Sequence, residues 1–231
     1  MPLEFHRPRI VKTKDLRVHN RYTLALDHEY GEYAFNEERA PLNKGLWRSE
    51  VFKTAADQPV DLEIGTGNGT YFKHRCEKYP DRRLVGLELK YKPLIQTIRS
   101  VRRLNLTNGR VCRLHAFNLD QVFEINEIND VFIHFPDPWT TPRKPKNRLV
   151  NPRMAEVLYG LQREGSSLEV KTDSKEFFDW AVEVLEKSPY KKQIVERDWH
   201  KDSRSQGLHR TQFENIFTRQ GLPIYYSLWQ K

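Results

Sequence analysis

Val60-Asp61-Leu62-Glu63-Ile64-Gly65-Thr66-Gly67-Asn68-Gly69 runs from an apolar strand pattern straight into a glycine-rich turn. The spacing predicts a strand over 60–64, a turn over 65–69 and a helix from Tyr71 to Tyr79 that Pro80 stops. Glycines at such a turn let the backbone approach a ligand, and the helix behind it offers free N–H groups. The same alternation continues outward. Strands are expected at Leu84–Leu89, Val111–His115, Asp130–Phe135 and Ser167–Lys171, with helices at Tyr91–Asn105, at Pro152–Gly160 and from a Ser174 cap to about Lys187. Leu94, Ile98 and Val101, with Ile95 beside them, form the buried stripe of one helix, and Phe178, Ala181 and Leu185 that of another. Strands alternating with helices at this spacing imply a single doubly wound α/β domain over residues 59–231, its sheet mostly parallel and covered on both faces. A strand in Gln193–Trp199, a helix over Thr211–Gln220 and a strand at Ile224–Trp229 finish the chain, with an antiparallel strand near the C-terminus.

Residues 1–58 read as an N-terminal extension: a basic arm to Arg21, then an acidic and aromatic segment from Asp27 to Glu38 to which the sequence assigns no role. With 39 Lys and Arg against 31 Asp and Glu, the net charge of +8 favours a polyanionic partner. No stretch approaches the roughly 20 apolar residues of a membrane helix, and the first residues lack a signal-peptide core, so a cytoplasmic protein without membrane contact is expected. Cys76 and Cys112 stand alone in a predicted helix and strand and read as packed thiols. None of the eight His residues has ligand spacing with Cys or acids, so no metal is expected, and His115 and His134 read as core histidines in strands.

A second stretch gives the site its chemistry. Val131-Phe132-Ile133-His134-Phe135-Pro136-Asp137-Pro138-Trp139 is a buried strand ended by a Pro-Asp-Pro turn, which throws Asp137 and Trp139 off its carboxyl end. In an open α/β sheet ligands bind at that edge. Arg143, Lys144, Lys146 and Arg148 follow, and a carboxylate, an indole and cations on one short segment suit a planar anionic ligand such as a nucleotide in RNA. Two tracts without acids flank that edge: Lys90, Lys92, Arg99, Arg102, Arg103, Arg110 and Arg113 lie between Glu88 and Asp120, and Arg153 joins the cations after Asp137. Together they are expected to form a phosphate-binding face.

The glycine turn alone leaves the cofactor open. A dinucleotide fingerprint places its third glycine one residue later than Gly65-x-Gly67-x-Gly69 does. Glu88, ending the next strand, is placed to accept hydrogen bonds from ribose hydroxyls. This form of the loop, preceded by Glu63, resembles the first motif of S-adenosylmethionine-dependent methyltransferases. Glu63 beside the loop would suit such a cofactor, which carries an ammonium and a sulfonium, a helix-end or loop ion pair being its structural alternative.

The resemblance narrows further. Leu62–Gly69, Gly86-Leu87-Glu88, Phe135-Pro136-Asp137-Pro138-Trp139, Thr172-Asp173 and Thr211-Gln212-Phe213-Glu214 occur in the order and spacing of the tRNA (guanine-N7)-methyltransferase family, over about Pro59 to Trp229. What the resemblance implies is a Rossmann-like methyltransferase domain that moves a methyl group from S-adenosylmethionine to N7 of a guanosine in the variable loop of tRNA. It further implies that Glu63, Glu88, the glycines Gly65, Gly67 and Gly69, and Asp137 meet the cofactor, that Asp137 is the catalytic residue, and that Asp173 and Thr211, Gln212, Phe213 and Glu214 meet the guanosine. Helix capping is the structural alternative for Asp173 and Thr211.

This chain departs from the family pattern twice. Thr141 stands where the family has a substrate-side Lys, with Arg143, Lys144 and Lys146 as the nearest cations to take its place. Asn118 stands where the family has a cofactor-side Asp, and its amide can still bond the adenine edge. The Thr141 change leaves two rivals: a non-catalytic RNA- or partner-binding relative that keeps the cofactor pocket, and a methyltransferase for another RNA or small molecule. A monomer or homodimer is expected.

Overall fold

The computed structural model describes residues 10–139 and 147–231. In chain order its strands are β1 (Ala34–Phe35), β2 (Val60–Ile64), β3 (Arg83–Leu87), β4 (Gly109–Cys112), β5 (Val131–His134), β6 (Ser167–Thr172), β7 (Lys191–Glu196) and β8 (Tyr225–Gln230). Its α-helices are α1 (Arg21–His28), α2 (Thr70–Lys78), α3 (Tyr91–Arg102), α4 (Pro152–Leu161), α5 (Lys175–Glu186) and α6 (Gln212–Arg219). The sheet order is β1-β4-β3-β2-β5-β6-β8-β7. All neighbours are parallel except β8, which lies antiparallel between β6 and β7.

Side-chain caps start α4, α5 and α6. The Ser174 side chain accepts the Phe177 N–H, Asn151 accepts that of Met154 just before Pro152, and Thr211 and Glu214 cap α6 reciprocally. The two faces of the sheet differ. Leu62, Ile64, Val131, Ile133, Leu168 and Val170 pack with Met154, Leu158, Phe177 and Ala181 from α4 and α5. On the other side Phe72, Leu94, Ile95, Ile98 and Val101 of α2 and α3 enclose a second core with Ala25 and Leu26 of α1. A third cluster joins Trp199, Ile224 and Tyr226 to Phe135 and Phe217.

The segment before Pro59 is part of this body. β1 adds to the sheet beside β4, and Asn20 caps α1, which packs through Ala25 and Leu26 against the α3 core. Two residues are too few to show a period, so β1 left no strand signal in the sequence. Trp47 is fully buried, stacks on Phe123 at 5.4 Å and donates its indole N–H to the Val122 carbonyl. Even the arm is tied down: Thr13 bonds Glu37 and the Tyr91 hydroxyl, and the Val11 carbonyl accepts from Arg113. Residues 1–9 of the expected arm lie outside the described residues. Among those described, no helix is long and apolar enough to cross a membrane.

Replacing Trp47 with Ala removes a stacked indole and its hydrogen bond from a closed core. Denaturant unfolding of Trp47→Ala is expected to show a loss of about 3–5 kcal/mol, and a loss below about 1 kcal/mol would mean that this segment does not belong to the cooperative core.

Candidate functional site

The carboxyl ends of β2, β3 and β5 open into a cavity of about 630 Å³, within the roughly 300–1,000 Å³ of small-molecule sites. The glycine turn forms its floor. Gly65, Gly67 and Gly69 have φ of +84°, +52° and +76°, which side chains disfavour. A Cβ at Gly65 or Gly67 would meet nothing within 4 Å, so a ligand can approach that backbone freely. Gly69 serves packing instead, since its Cβ would lie 2.6–2.8 Å from Thr97 of α3.

Glu63 projects from β2 into this wall, is 2% exposed, and its Oε2 has no hydrogen-bond partner among the described residues. Burial pushes its carboxyl well above the ordinary range; Arg75 draws it back and Glu88 pushes it further up. A buried acid left in this state favours a cationic or donor ligand beside it. Glu88 stands just past β3 and accepts the N–H groups of Gly67 at 3.1 Å and Lys90 at 2.9 Å, so one carboxylate braces the turn on the cavity's edge.

Asp137 is exposed on the rim between Phe135 and Trp139, all three lining the cavity. Phe135 and Trp139 have φ of +51° and +42°. Bulky residues in the left-handed region are strained, and such strain gathers where a loop is held for function. Opposite stand Thr211, Gln212 and Phe213 at the start of α6. Gln212 accepts a close hydrogen bond from the Asn68 amide, which ties α6 to the glycine turn.

Other expected residues sit differently. Glu214 is outside the wall, 1% exposed, its carboxylate given to the Thr211 N–H and to Lys171. Asp173 follows β6 on the same sheet edge without lining the cavity, and burial raises its carboxyl pKa. Ala116 and Phe117 line the wall while Asn118 lies one residue behind them, its Oδ1 buried without a partner among the described residues. Thr141, Arg143, Lys144 and Lys146 lie outside the described residues. His134 and His115 both line the cavity, and His134 is bonded to Glu169 at 2.7 Å.

The expected phosphate-binding face needs correction. Arg99 bonds Glu29 and Tyr30, Arg102 and Arg110 stack on Tyr33, and Arg113 pairs with Glu37 and lies over Tyr91. The unassigned acidic and aromatic segment is the partner of this basic tract. Of that tract, Lys90 and Lys92 line the cavity. Arg148 is also committed: it is 6% exposed, pairs with Glu176 and donates to the Trp139 carbonyl at 3.3 Å. It holds the main chain at Trp139, two residues past Asp137. For Arg99, Arg102, Arg110 and Arg113, the signal that would have placed them is the matching run of acids and tyrosines upstream.

Residues 57–227 match a family model described as putative methyltransferase. Over 208 residues the chain is 50% identical to a tRNA (guanine-N7)-methyltransferase of Bdellovibrio bacteriovorus, covering 90% of this chain and 100% of that one. A protein of the same name from Listeria monocytogenes is 30% identical over 182 residues, covering 79% and 83%. Among solved structures, a 16S rRNA methyltransferase, KamB, superposes with a TM-score of 0.54 at 14% identity, covering 74% and 87%, a likeness of fold alone.

Proposed function

The chain belongs to the tRNA (guanine-N7)-methyltransferase family, and on that footing we propose that it transfers a methyl group from S-adenosylmethionine to N7 of a guanosine in the variable loop of tRNA. The observation that carries this reading is the half-identity along the full length of a tRNA (guanine-N7)-methyltransferase, joined to a cavity that gathers the glycine turn, Glu63, Asp137 and Thr211.

The residues present fit the cofactor. Glu63 is a buried acid with an unpartnered oxygen, and the open backbone at Gly65 and Gly67 leaves room for a ligand. Glu63 would hold the cationic end, Glu88 the ribose hydroxyls, and the Ala116–Asn118 segment the adenine. The cofactor supplies an activated methyl group on a sulfonium.

The chain's own task is alignment. Guanine N7 is an acceptor outside Watson–Crick pairing, and it needs no proton removed before it attacks. Holding the reactants in line and excluding water accounts for most of the catalysis such a reaction needs. Asp137 accepts hydrogen bonds from the N–H groups of the base and faces the positive charge that the ring gains. Phe213 and Trp139 flank the base, Thr211, Gln212 and Asp173 hold the nucleoside, and Glu214 supports that turn from beneath. Thr141, Arg143, Lys144 and Lys146, with Lys90 and Lys92, supply phosphate contacts.

Labelled methyl from S-adenosylmethionine is expected on unmodified tRNA as 7-methylguanosine, and nuclease fragments analysed by mass spectrometry should place it in the variable loop. A different nucleoside, or no transfer, refutes the reading. Asp137→Asn should lower kcat by about a hundredfold or more, and full turnover at saturating tRNA and cofactor would remove Asp137 from its role.

The Glu63 carboxyl gives a pH signature. Burial raises its pKa in spite of Arg75, so seating a cationic cofactor against it drives off a proton. Cofactor affinity should therefore rise as pH climbs from the ordinary carboxylate value of 4.5 toward the raised one, and level off above it. Calorimetry of Glu63→Gln should show weaker binding without that rise, and an unchanged slope would exclude Glu63 as its source.

A further inference from the structure

A group of buried charges lies beneath the two walls of the cavity. Strand pairing sets Phe132 beside Glu169, His134 beside Lys171, and Tyr226 beside Lys171, so alternation places these side chains on one face of the sheet. Lys171 is 3% exposed, with Nζ 3.8 Å from Glu169 Oε1 and 3.5 Å from Glu214 Oε2. Each carboxylate reaches one wall. Glu169 Oε1 bonds His134 Nε2 at 2.7 Å, while its Oε2 accepts from the Tyr226 hydroxyl at 3.2 Å. Glu214 Oε2 accepts the Thr211 N–H at 3.1 Å, and its Oε1 lies 3.3 Å from His200 Nε2. The main chain repeats the link, since the Lys171 carbonyl accepts the N–H of Phe135, two residues before Asp137.

The charges make Lys171 the keystone. Burial holds His134 and His200 below the usual imidazole pKa, toward the neutral form. Against burial, which raises it, Lys171 and the His134 contact hold the Glu169 carboxyl down to about 2. One ammonium therefore lies within salt-bridge reach of both carboxylates, one fastened to the end of β5 and the other to the first turn of α6. Nothing in the reaction itself calls for Lys171, which does not line the cavity.

We propose that Lys171 is a positioning residue for methyl transfer: its ammonium ties the Thr211–Phe213 turn to the end of β5 and so sets the distance between the guanosine wall and Asp137. This rests on the functional reading above. The cofactor wall is built from β2, β3 and the glycine turn, none of which carries Lys171, Glu169 or Glu214, and it meets the α6 turn through the Asn68–Gln212 hydrogen bond. A role in stability alone would lower cofactor binding, melting temperature and turnover together, whereas a positioning role separates them.

The test uses the full chain as Lys171→Met, Lys171→Arg, Glu214→Gln and the Lys171→Met/Glu214→Gln double variant. Glu214→Gln keeps an oxygen for the Thr211 N–H and removes the charge. Lys171→Met should bind S-adenosylmethionine within about threefold of wild type while kcat on tRNA falls by about tenfold or more, and Lys171→Arg should recover part of that loss. Once Glu214 is neutral the ammonium has lost one of its two anchors, so the double variant should turn over within about threefold of Glu214→Gln alone. Losses that multiply, or cofactor binding that falls in step with kcat, overturn the proposal. If Lys171→Met does not fold, the same comparison is made with Lys171→Arg, whose effect should likewise shrink in the Glu214→Gln background. Hydrogen exchange separates this proposal from the functional reading: α6 amides should exchange faster in Lys171→Met than in wild type while α2 amides do not. Wild-type protein that forms no 7-methylguanosine refutes the function, and unchanged α6 exchange refutes the tie.

Discussion

The reversal of strand order at β2 is the constraint on which the site depends. From β2 the chain builds outward through β3 and β4, then returns to lay β5 on the other side of β2. The connections leaving the carboxyl ends of β2 and β5 therefore part in opposite directions, and a crevice opens between them. Leu62 pairs with Val131 and Ile64 with Ile133, so the glycine turn and the Pro136-Asp137-Pro138 turn emerge level with each other. Neither turn makes a site alone. Their separation is set by the roughly 4.8 Å spacing of neighbouring strands, which no loop can change.

The two faces of that sheet follow different physics. One is apolar through Leu62, Ile64, Val131, Ile133, Leu168 and Val170 and needs only shape and volume. The other carries the buried side chains of Asp61, Glu63, His134 and Lys171, with Glu169 half-buried beside them. Asp61 is met by Arg75 and Arg82 at the amino end of the sheet. Glu169 and Glu214 share Lys171 toward the carboxyl end. Removing one partner of a buried pair costs about 3–5 kcal/mol, so the pairs through Lys171 bind β6 and α6 to each other across this face. Glu63 is the member with an oxygen unpartnered among the described residues, and it faces the cavity.

Charge read along the chain misled where charge in space did not. Arg99, Arg102, Arg110 and Arg113 look like an unopposed basic tract, yet Glu29, Tyr30, Tyr33 and Glu37 come from far upstream to meet them. Arg–tyrosine stacking and buried Arg–carboxylate pairing hold a cation's face and edge at once, which a phosphate would have to displace. The same contacts bind the α1–β1 segment to the domain, so the extension and the basic tract are two halves of one interface.

Period and punctuation carried most of the fold in the primary structure. The glycine turn after Ile64, the Ser174 and Thr211 caps, the stripe of Leu94, Ile98 and Val101 and the Pro136-Asp137-Pro138 stop are local chemistry, and each element formed where that chemistry put it. Asp137 can be singled out from the turn that ends its strand and Glu63 from its place beside the glycine loop, whereas Thr211 is marked only by the family resemblance; the structure brings all three to one sheet edge. The tertiary structure alone decided which charges remain available. Alternation in Ser167-Leu168-Glu169-Val170-Lys171-Thr172 puts Glu169 and Lys171 on one face, but only the packing of α6 turns Glu214 inward to meet them. Likewise β1 is too short to show a period, and the partners that stack on Trp47 and accept its indole N–H, Phe123 and Val122, come from far along the chain. Both depend on contacts between residues far apart in the chain, and such contacts have no spacing rule to announce them.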